Sequence, residues 1–277
     1  MHNNEKIGVG ILTCNRKRNC KVLFDCLASC IKYKIIDELI LVKNREFEYD
    51  NFDFEHIETN NIKYLNVKED VGVGYCKNAA FLHLLNKNCD HIFLIEDDTI
   101  IKDPIVFAKY IDTAKHFKME HLVFGYGSGG SDLDEFNENA CAPICTIQYK
   151  DQQLDFYHHI QGAFTYYTRK CLQYIGLMDA NNYVNAVEHI EHTYRIIKAG
   201  YYSMFWAFAD IHNSKEYLDH DHCGTEYKTT IPRNNALYNR RVEHAYAHFY
   251  DVYHINFYQI KFPSKNDIYK FMKERLH

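Results

Sequence analysis

The sequence predicts an α/β fold, with a mostly parallel central sheet flanked by helices and a helical extension towards its C-terminal end. Three observations carry that prediction. Runs at 7–12, 38–42, 62–67 and 91–95 have the length of strands, and the first, IGVGIL, is continuously apolar like a strand buried on both faces. Helix-length stretches at about 17–33 and 76–86 lie between them, and such alternation produces parallel sheets with right-handed crossovers. Polar clusters, Thr13-Cys14-Asn15-Arg16 and Glu96-Asp97-Asp98, follow the first and fourth runs. That is the carboxyl edge at which open α/β sheets bind ligands.

Taken in order, the helical stretch 17–33 carries Cys20, Cys26 and Cys30, expected to pack as small apolar residues. Asp70-Val71-Gly72-Val73-Gly74-Tyr75 reads as a loop opening the next helix, where Lys77 and Asn78 could hold an anionic group. A further helix follows Pro104, then a strand-like segment at 121–124 and a Gly/Ser/Asp-rich loop at 125–132, placed to close over a ligand. The pattern favours strands over 145–167, ending in Gln161-Gly162-Ala163-Phe164. Residues 183–200 read as one helix with Arg195 and Lys198 near its end and Gly200 at its stop. An aromatic stretch at 201–211 precedes a His/Asp-rich segment from His212, and 236–271 is expected to be helical and docked on the body. No internal repeat or low-complexity linker appears, so the expected organisation is one continuous domain over 1–235. About 1–100 would form its first half and 101–235 its second, with 236–277 packed on it.

Composition excludes several classes. With 47% hydrophobic residues, 23 Tyr, 18 Phe and only 4 Pro, the chain is ordered rather than low-complexity. A net charge of -5 without a basic block argues against nucleic acid as a partner. None of the 10 cysteines forms a C-x-x-C pair, which argues against a zinc ribbon or thioredoxin site. The polar start Met1-His2-Asn3-Asn4-Glu5-Lys6 and the absence of a long apolar run give the expectation of a cytoplasmic protein without a spanning segment.

The chemistry concentrates at Glu96-Asp97-Asp98. Three like charges at the end of a buried strand are costly unless a cation pairs with them. Oxygen-only ligands on a short loop suit Mg2+ or Mn2+, which recruit substrate phosphates to complete their shell. The alternative is an exposed acidic turn capping the next helix, with Asp98 or Thr99 as N-cap.

Strand-TCNR, strand, G-x-G-x-x-K-N-A, strand-EDD and E-H-x-E-x-x-x-R-x-x-x-x-G follow one another in this chain. In that order they resemble the GT-A nucleotide-sugar glycosyltransferases, especially the bacterial family 2, over about residues 6–215. Lys77-Asn78-Ala79-Ala80 is similar to the family's Arg-Asn-x-Gly-type segment. Glu96-Asp97-Asp98 is similar to its Asp-x-Asp motif, and Glu188 to Arg195 to its acceptor-side Glu-Asp motif. The resemblance implies a nucleotide site made by Thr13, Asn15, Arg16, Gly74, Lys77, Asn78 and Glu96, with Asp97 in support. It also implies a metal (Mn2+ or Mg2+) on Asp98, with His212 as a late ligand and His220-Asp221-His222 as the rival source. Gly162 would leave room for the sugar, and Phe164, Tyr166, Tyr183 and Trp206 are candidates to stack on it.

Two positions depart from the family pattern. The second strand ends Val42-Lys43-Asn44-Arg45 and lacks the usual carboxylate, and His189 occupies the position of the aspartate that deprotonates the acceptor. The base is therefore sought among Glu188, His189 and Glu191, which share one helical segment. The implied activity is inverting transfer from a UDP-sugar to a glycan or lipid-linked acceptor in bacterial capsule or lipopolysaccharide synthesis, at the inner membrane face. The rivals are a nucleotidyltransferase on a similar sheet and a non-catalytic sugar-binding module.

Overall fold

The first strand, Ile7–Thr13 (β1), has all seven residues buried, as does the second, Glu38–Asn44 (β2). The computed structural model describes residues 5–14, 17–44, 59–67, 71–125, 142–158, 162–184, 186–220 and 236–277. Between these strands lies the helix Lys17–Lys32 (α1). Ile62–Val67 (β3), Val73–Asn86 (α2) and His91–Glu96 (β4) follow. Then come Thr99–Ile101 (β5), Val106–His116 (α3) and His121–Val123 (β6). Cys145–Tyr149 (β7), Gln152–Tyr157 (β8), Phe164–Thr168 (β9) and Arg169–Ile175 (α4) lead to the helix Glu188–Lys198 (α5). Phe208–Ile211 (β10), Leu218–His220 (β11), Ala236–Tyr253 (α6) and Lys265–Leu276 (α7) complete the order.

The main sheet has six strands in the order β3-β2-β1-β4-β9-β6. Its first four are parallel, and β9 runs antiparallel between β4 and β6. The edge strand β3 alternates in exposure where the inner strands do not, as an edge partly open to solvent should. The glycines of IGVGIL have a packing reason: a Cβ on Gly10 would stand 2.8 Å from the Ala80 Cβ, so only glycine lets α2 lie this close to β1. Behind the sheet an aromatic cluster fills the core, with Phe93 edge-on to Phe107 at 4.9 Å and Tyr110 against Phe164 at 5.0 Å. Phe164, Tyr166, Tyr183 and Trp206, the sugar-stacking candidates, are all buried.

Register sets the site. In the parallel β1–β4 pair Leu12 stands opposite Glu96, which puts Thr13 beside Asp97. In the antiparallel β4–β9 pair Ile95 stands opposite Phe164, which brings Gly162 and Ala163 to the acidic triplet. The triplet does not cap a helix. Asp97 and Asp98 are buried, and Thr99 opens β5, which pairs with β11 so that His220 lies opposite Thr99.

Several boundaries differ from the sequence expectation. Helix α2 starts at Val73, so Gly74 lies within its first turn. Helix α5 starts only at Glu188, because Val187 is left-handed with φ 69°, while the preceding residues fold as turns under α6. Helix α4, which the hydrophobic pattern did not single out, is capped by Thr168, whose Oγ1 accepts from Cys171 N at 3.1 Å. The stretch 236–271 is helical in two pieces, α6 and the first part of α7. His254 is left-handed, Pro263 cannot continue a helix, and Ser264 with Asp267 forms a capping box that starts α7. The Gly-rich loop lies outside the described residues beyond Gly125. No helix among the described residues is long and apolar enough to cross a membrane.

Candidate active site

Thr13 and Asp97 lock the ends of β1 and β4 together. Thr13 Oγ1 donates to Asp97 Oδ2 at 2.7 Å, and Asp97 N donates to Leu12 O at 3.1 Å. Both side chains are buried, and their hydrogen bond holds the two strand ends together. The next residues are anchored by one carbonyl: Glu96 N at 2.8 Å and Thr99 Oγ1 at 3.1 Å both donate to Ala163 O. Asp98 lies between these anchors. The triplet is thus a fixed turn rather than a solvated one. Asn15 and Arg16 lie outside the described residues.

Lys77 is not the surface cation that its place near a helix start implies. Its side chain is 1% exposed, with Nζ 3.2 Å from Glu96 Oε1 and 3.0 Å from Glu188 Oε1. A buried ammonium is tolerable only with such partners. Burial pushes the Lys77 amine down, but Glu188 and Glu96 more than offset this and hold it above the usual lysine range. Burial likewise pushes Glu188 up, and Lys77 and His189 reverse that, leaving a carboxylate well below its usual range. Glu96, 29% exposed at its side chain, is raised by burial against the pull of Lys77, with Asp98 and Glu188 adding repulsion.

Asn78 and Gly74 face the chain segment before α5. Asn78 Nδ2 donates to Met178 O and Asn78 Oδ1 accepts from Met178 N, both at 2.9 Å. A Cβ on Gly74 would sit 3.2 Å from the Ala180 Cβ. The segment that resembles a phosphate-holding loop therefore clamps α2 to the segment that leads into α5.

Glu188 and Glu191 occupy neighbouring turns of α5 but different environments. Glu188 Oε1 faces both Lys77 and His189, whose Nδ1 is 3.2 Å away. His189 Nε2 is buried and has no hydrogen-bond partner among the described residues. Gly162, at φ +71°, packs against this ring; a Cβ there would be 3.0 Å from His189 Cγ. Its lack of a side chain makes room for an imidazole. Glu191 accepts from Arg195 Nε at 2.7 Å and Nη2 at 3.1 Å, and from Tyr253 Oη at 2.6 Å. Arg195 also donates to the Ile175 and Leu177 carbonyls, each at 2.8 Å. Glu191 thus joins α4, α5 and α6 and is set apart from the Lys77 cluster. The buried His192 and His121 are both pushed down to about 3, first by burial, which keeps them neutral core rings.

The late histidine is tied to a partner the sequence did not reveal. His212 Nδ1 lies 3.0 Å from Asp155 Oδ1 on β8, the kind of carboxylate contact that orients the imidazole of a metal-ligating histidine. It is His220 whose backbone the sheet register sets beside the triplet, one residue from Asp98. His222 lies outside the described residues. Among the described residues no three His, Cys, Asp or Glu side chains group as a metal cage. The carboxylate oxygens at 96–98 do fit a hard cation held by one or two carboxylates and completed by substrate phosphates. Asp210 is a further buried acid outside this cluster. It accepts from Tyr110 Oη at 2.5 Å, Gly125 N at 3.0 Å and Ile211 N at 2.8 Å, and burial pushes it up to about 7.

No profile of a known protein family matches the chain. A viral relative, "Uncharacterized glycosyltransferase R363" of Acanthamoeba polyphaga mimivirus, is 25% identical over 238 residues, 84% of this chain and 88% of the relative. Among solved structures, the mannosyltransferase PcManGT from Pyrobaculum calidifontis, in complex with GDP-Man and Mn2+, is similar over 99% of this chain and 70% of its own, with TM-score 0.54 and 12% identity. GalNAc-T7 with UDP, GalNAc and Mn2+ is similar over 76% of this chain and 43% of its own, with TM-score 0.53 and 11% identity. S. aureus TarS 1-349 in complex with UDP matches 69% of this chain at TM-score 0.50 and 12% identity, and the chain spans about half of it, 54%. The fold shared with these structures is the GT-A fold that the strand order and motif order imply, and the viral relative that is similar over most of the chain is named a glycosyltransferase.

Proposed function

We propose that the protein moves a sugar from a nucleoside-diphosphate sugar, a UDP-sugar in the first instance, to a hydroxyl of a glycan or lipid-linked acceptor. The observation that carries this reading is the position of Lys77 Nζ, 3.2 Å from Glu96 at the donor strand and 3.0 Å from Glu188 at the acceptor helix. Two regions far apart in sequence meet at one buried cation. UDP in the TarS and GalNAc-T7 structures supports the uridine donor, while GDP-Man in PcManGT supports guanosine as the competing base.

In this reading residues 1–100 bind the donor, 101–235 receive the acceptor, and 236–277 brace the acceptor helix through Tyr253. Glu96, Asn15 and Arg16 bind the nucleoside. Asp98 is the carboxylate that would hold Mn2+ or Mg2+, with His220 or His212 as the nitrogen ligand. A bound cation supplies charge neutralisation for the departing diphosphate. His189 is the base: with Nδ1–H donated to Glu188, Nε2 carries the lone pair that takes the acceptor hydroxyl proton. The oxygen so freed attacks the anomeric carbon from the face opposite the diphosphate, and this single displacement inverts the configuration. Glu191 positions the helix. The basic residues Arg240, Arg241, Lys270 and Lys273 are the support for a lipid-linked acceptor at a membrane face. Arg275 is a staple instead, donating to Tyr202 O at 2.8 Å. The bacterial capsule or lipopolysaccharide setting rests on motif resemblance alone.

The test is thermal stabilisation by nucleotide plus Mn2+. A ligand at 100 times its Kd stabilises by about 2.7 kcal/mol, so UDP with Mn2+ should raise the melting temperature by several degrees, and Asp98→Ala should abolish the rise. No shift with UDP, GDP or another nucleotide, with or without metal, would overturn the reading.

A further inference from the structure

Lys77 has a second consequence, which rests on the assignment of His189 as base. We infer that Lys77 is the positioning residue for His189: buried between two elements, it fixes the Glu188 carboxylate at His189 Nδ1 and thereby keeps Nε2 as the unprotonated nitrogen.

Docking of α2 does not require this ammonium. Asn78 already clamps α2 to Met178 through two 2.9 Å hydrogen bonds, and Gly74 already packs on Ala180. An apolar residue of similar volume would fill the space, but it would leave the Glu188 and Glu96 carboxylates without their cation. What an apolar residue cannot do is hold a charged carboxylate in place. Lys77 Nζ and His189 Nδ1 both converge on Glu188 Oε1, at 3.0 Å and 3.2 Å. Gly162 fixes the plane of the ring by packing against it, but packing does not distinguish the two tautomers. The distinction comes from what Nδ1 meets: an anionic Glu188 accepts a hydrogen bond from Nδ1–H, and a protonated Glu188 donates one to a bare Nδ1.

The groups that act on this pair are few. Glu188 faces Lys77 from α2, Glu96 from β4, Tyr167 from β9 and His189 beside it, and His189 also acts on His121 of β6. Among the described residues Lys77 is the only cation in that set whose charge is permanent at neutral pH. Without it Glu188 is a buried carboxylate facing Glu96, and it takes up a proton. Nδ1 then becomes an acceptor, the proton moves to Nε2, and the ring can no longer act as a base there.

The experiment is 15N-histidine NMR on the full-length protein, with the His189 signal assigned by its loss in His189→Asn, alongside pH–rate profiles. Wild type should show His189 protonated at Nδ1 and bare at Nε2. Lys77→Met should reverse or average the tautomer, lower kcat by about 100-fold, the scale of general base catalysis, and shift the acid limb of kcat upward by a pH unit or more. Lys77→Arg should keep the wild-type tautomer. If Lys77→Met does not fold, Lys77→Met/Glu96→Gln preserves the net charge of the cluster while still stripping Glu188 of its cation, and the tautomer is read there. A folded variant lacking Lys77 with an unchanged tautomer overturns the inference. A wild type that shows the expected tautomer but transfers no sugar overturns the proposed function and leaves the role of Lys77 standing.

Discussion

Glu191→Ala should unfold this protein more readily without removing its chemistry. The side chain is 3% exposed and its oxygens accept three hydrogen bonds, two from the Arg195 guanidinium and one from Tyr253. Removing one member of a buried ion pair costs about 3–5 kcal/mol, because the partner keeps its desolvation penalty. Here Arg195 retains the Ile175 and Leu177 carbonyls, which puts the loss towards the lower end, about 3 kcal/mol. For a chain of this size each kcal/mol moves Tm by about 2–4 °C, so a drop of about 6–12 °C is expected. Melting by circular dichroism measures it, and transfer assayed well below the new Tm should keep kcat within a few-fold of wild type. A variant that melts within 2 °C of wild type yet loses kcat by about 100-fold would refute the reasoning and return Glu191 to the chemistry.

Two further outcomes follow from the same geometry. Gly162→Ala places a side chain at φ +71° and 3.0 Å from His189 Cγ; the backbone alone costs about 1–2 kcal/mol, and displacement of the ring should lower kcat more than it raises KM, as steady-state kinetics will show. Asp210, raised to about 7 by burial, binds its proton more tightly folded than unfolded. Its contribution is therefore full below the unfolded pKa of about 4 and is lost as pH rises towards 7, up to about 4 kcal/mol in all. Chemical denaturation between pH 5 and 8 should show that decline in wild type and its absence in Asp210→Asn; equal slopes for the two would refute it.

The frame of the site was legible in the linear chain. A buried strand announces itself by an unbroken apolar run, and polar residues just beyond such runs mark a sheet's carboxyl edge, so IGVGIL-TCNR and IFLI-EDD are readable as neighbours in the chain itself. The ends of helices were less so. A left-handed Val187 and a capping Thr168 leave almost no trace in hydrophobic periodicity, which is why α5 starts at Glu188 rather than 183 and why α4 went unpredicted. The buried state of Lys77 was also hidden, since a lysine near a helix start is ordinarily solvated.

The α/β alternation and the order of the motifs can be read from the linear chain. The partners that each motif residue meets are set by the tertiary fold. Helical spacing puts Glu188 and Glu191 on adjacent turns of one helix and cannot tell them apart. Their roles separate because Lys77, 111 residues away, reaches one of them and Tyr253, 62 residues away, reaches the other. The state of a carboxylate is set by the charges and donors within a few ångströms of it, and those arrive from elsewhere in the chain only when it folds.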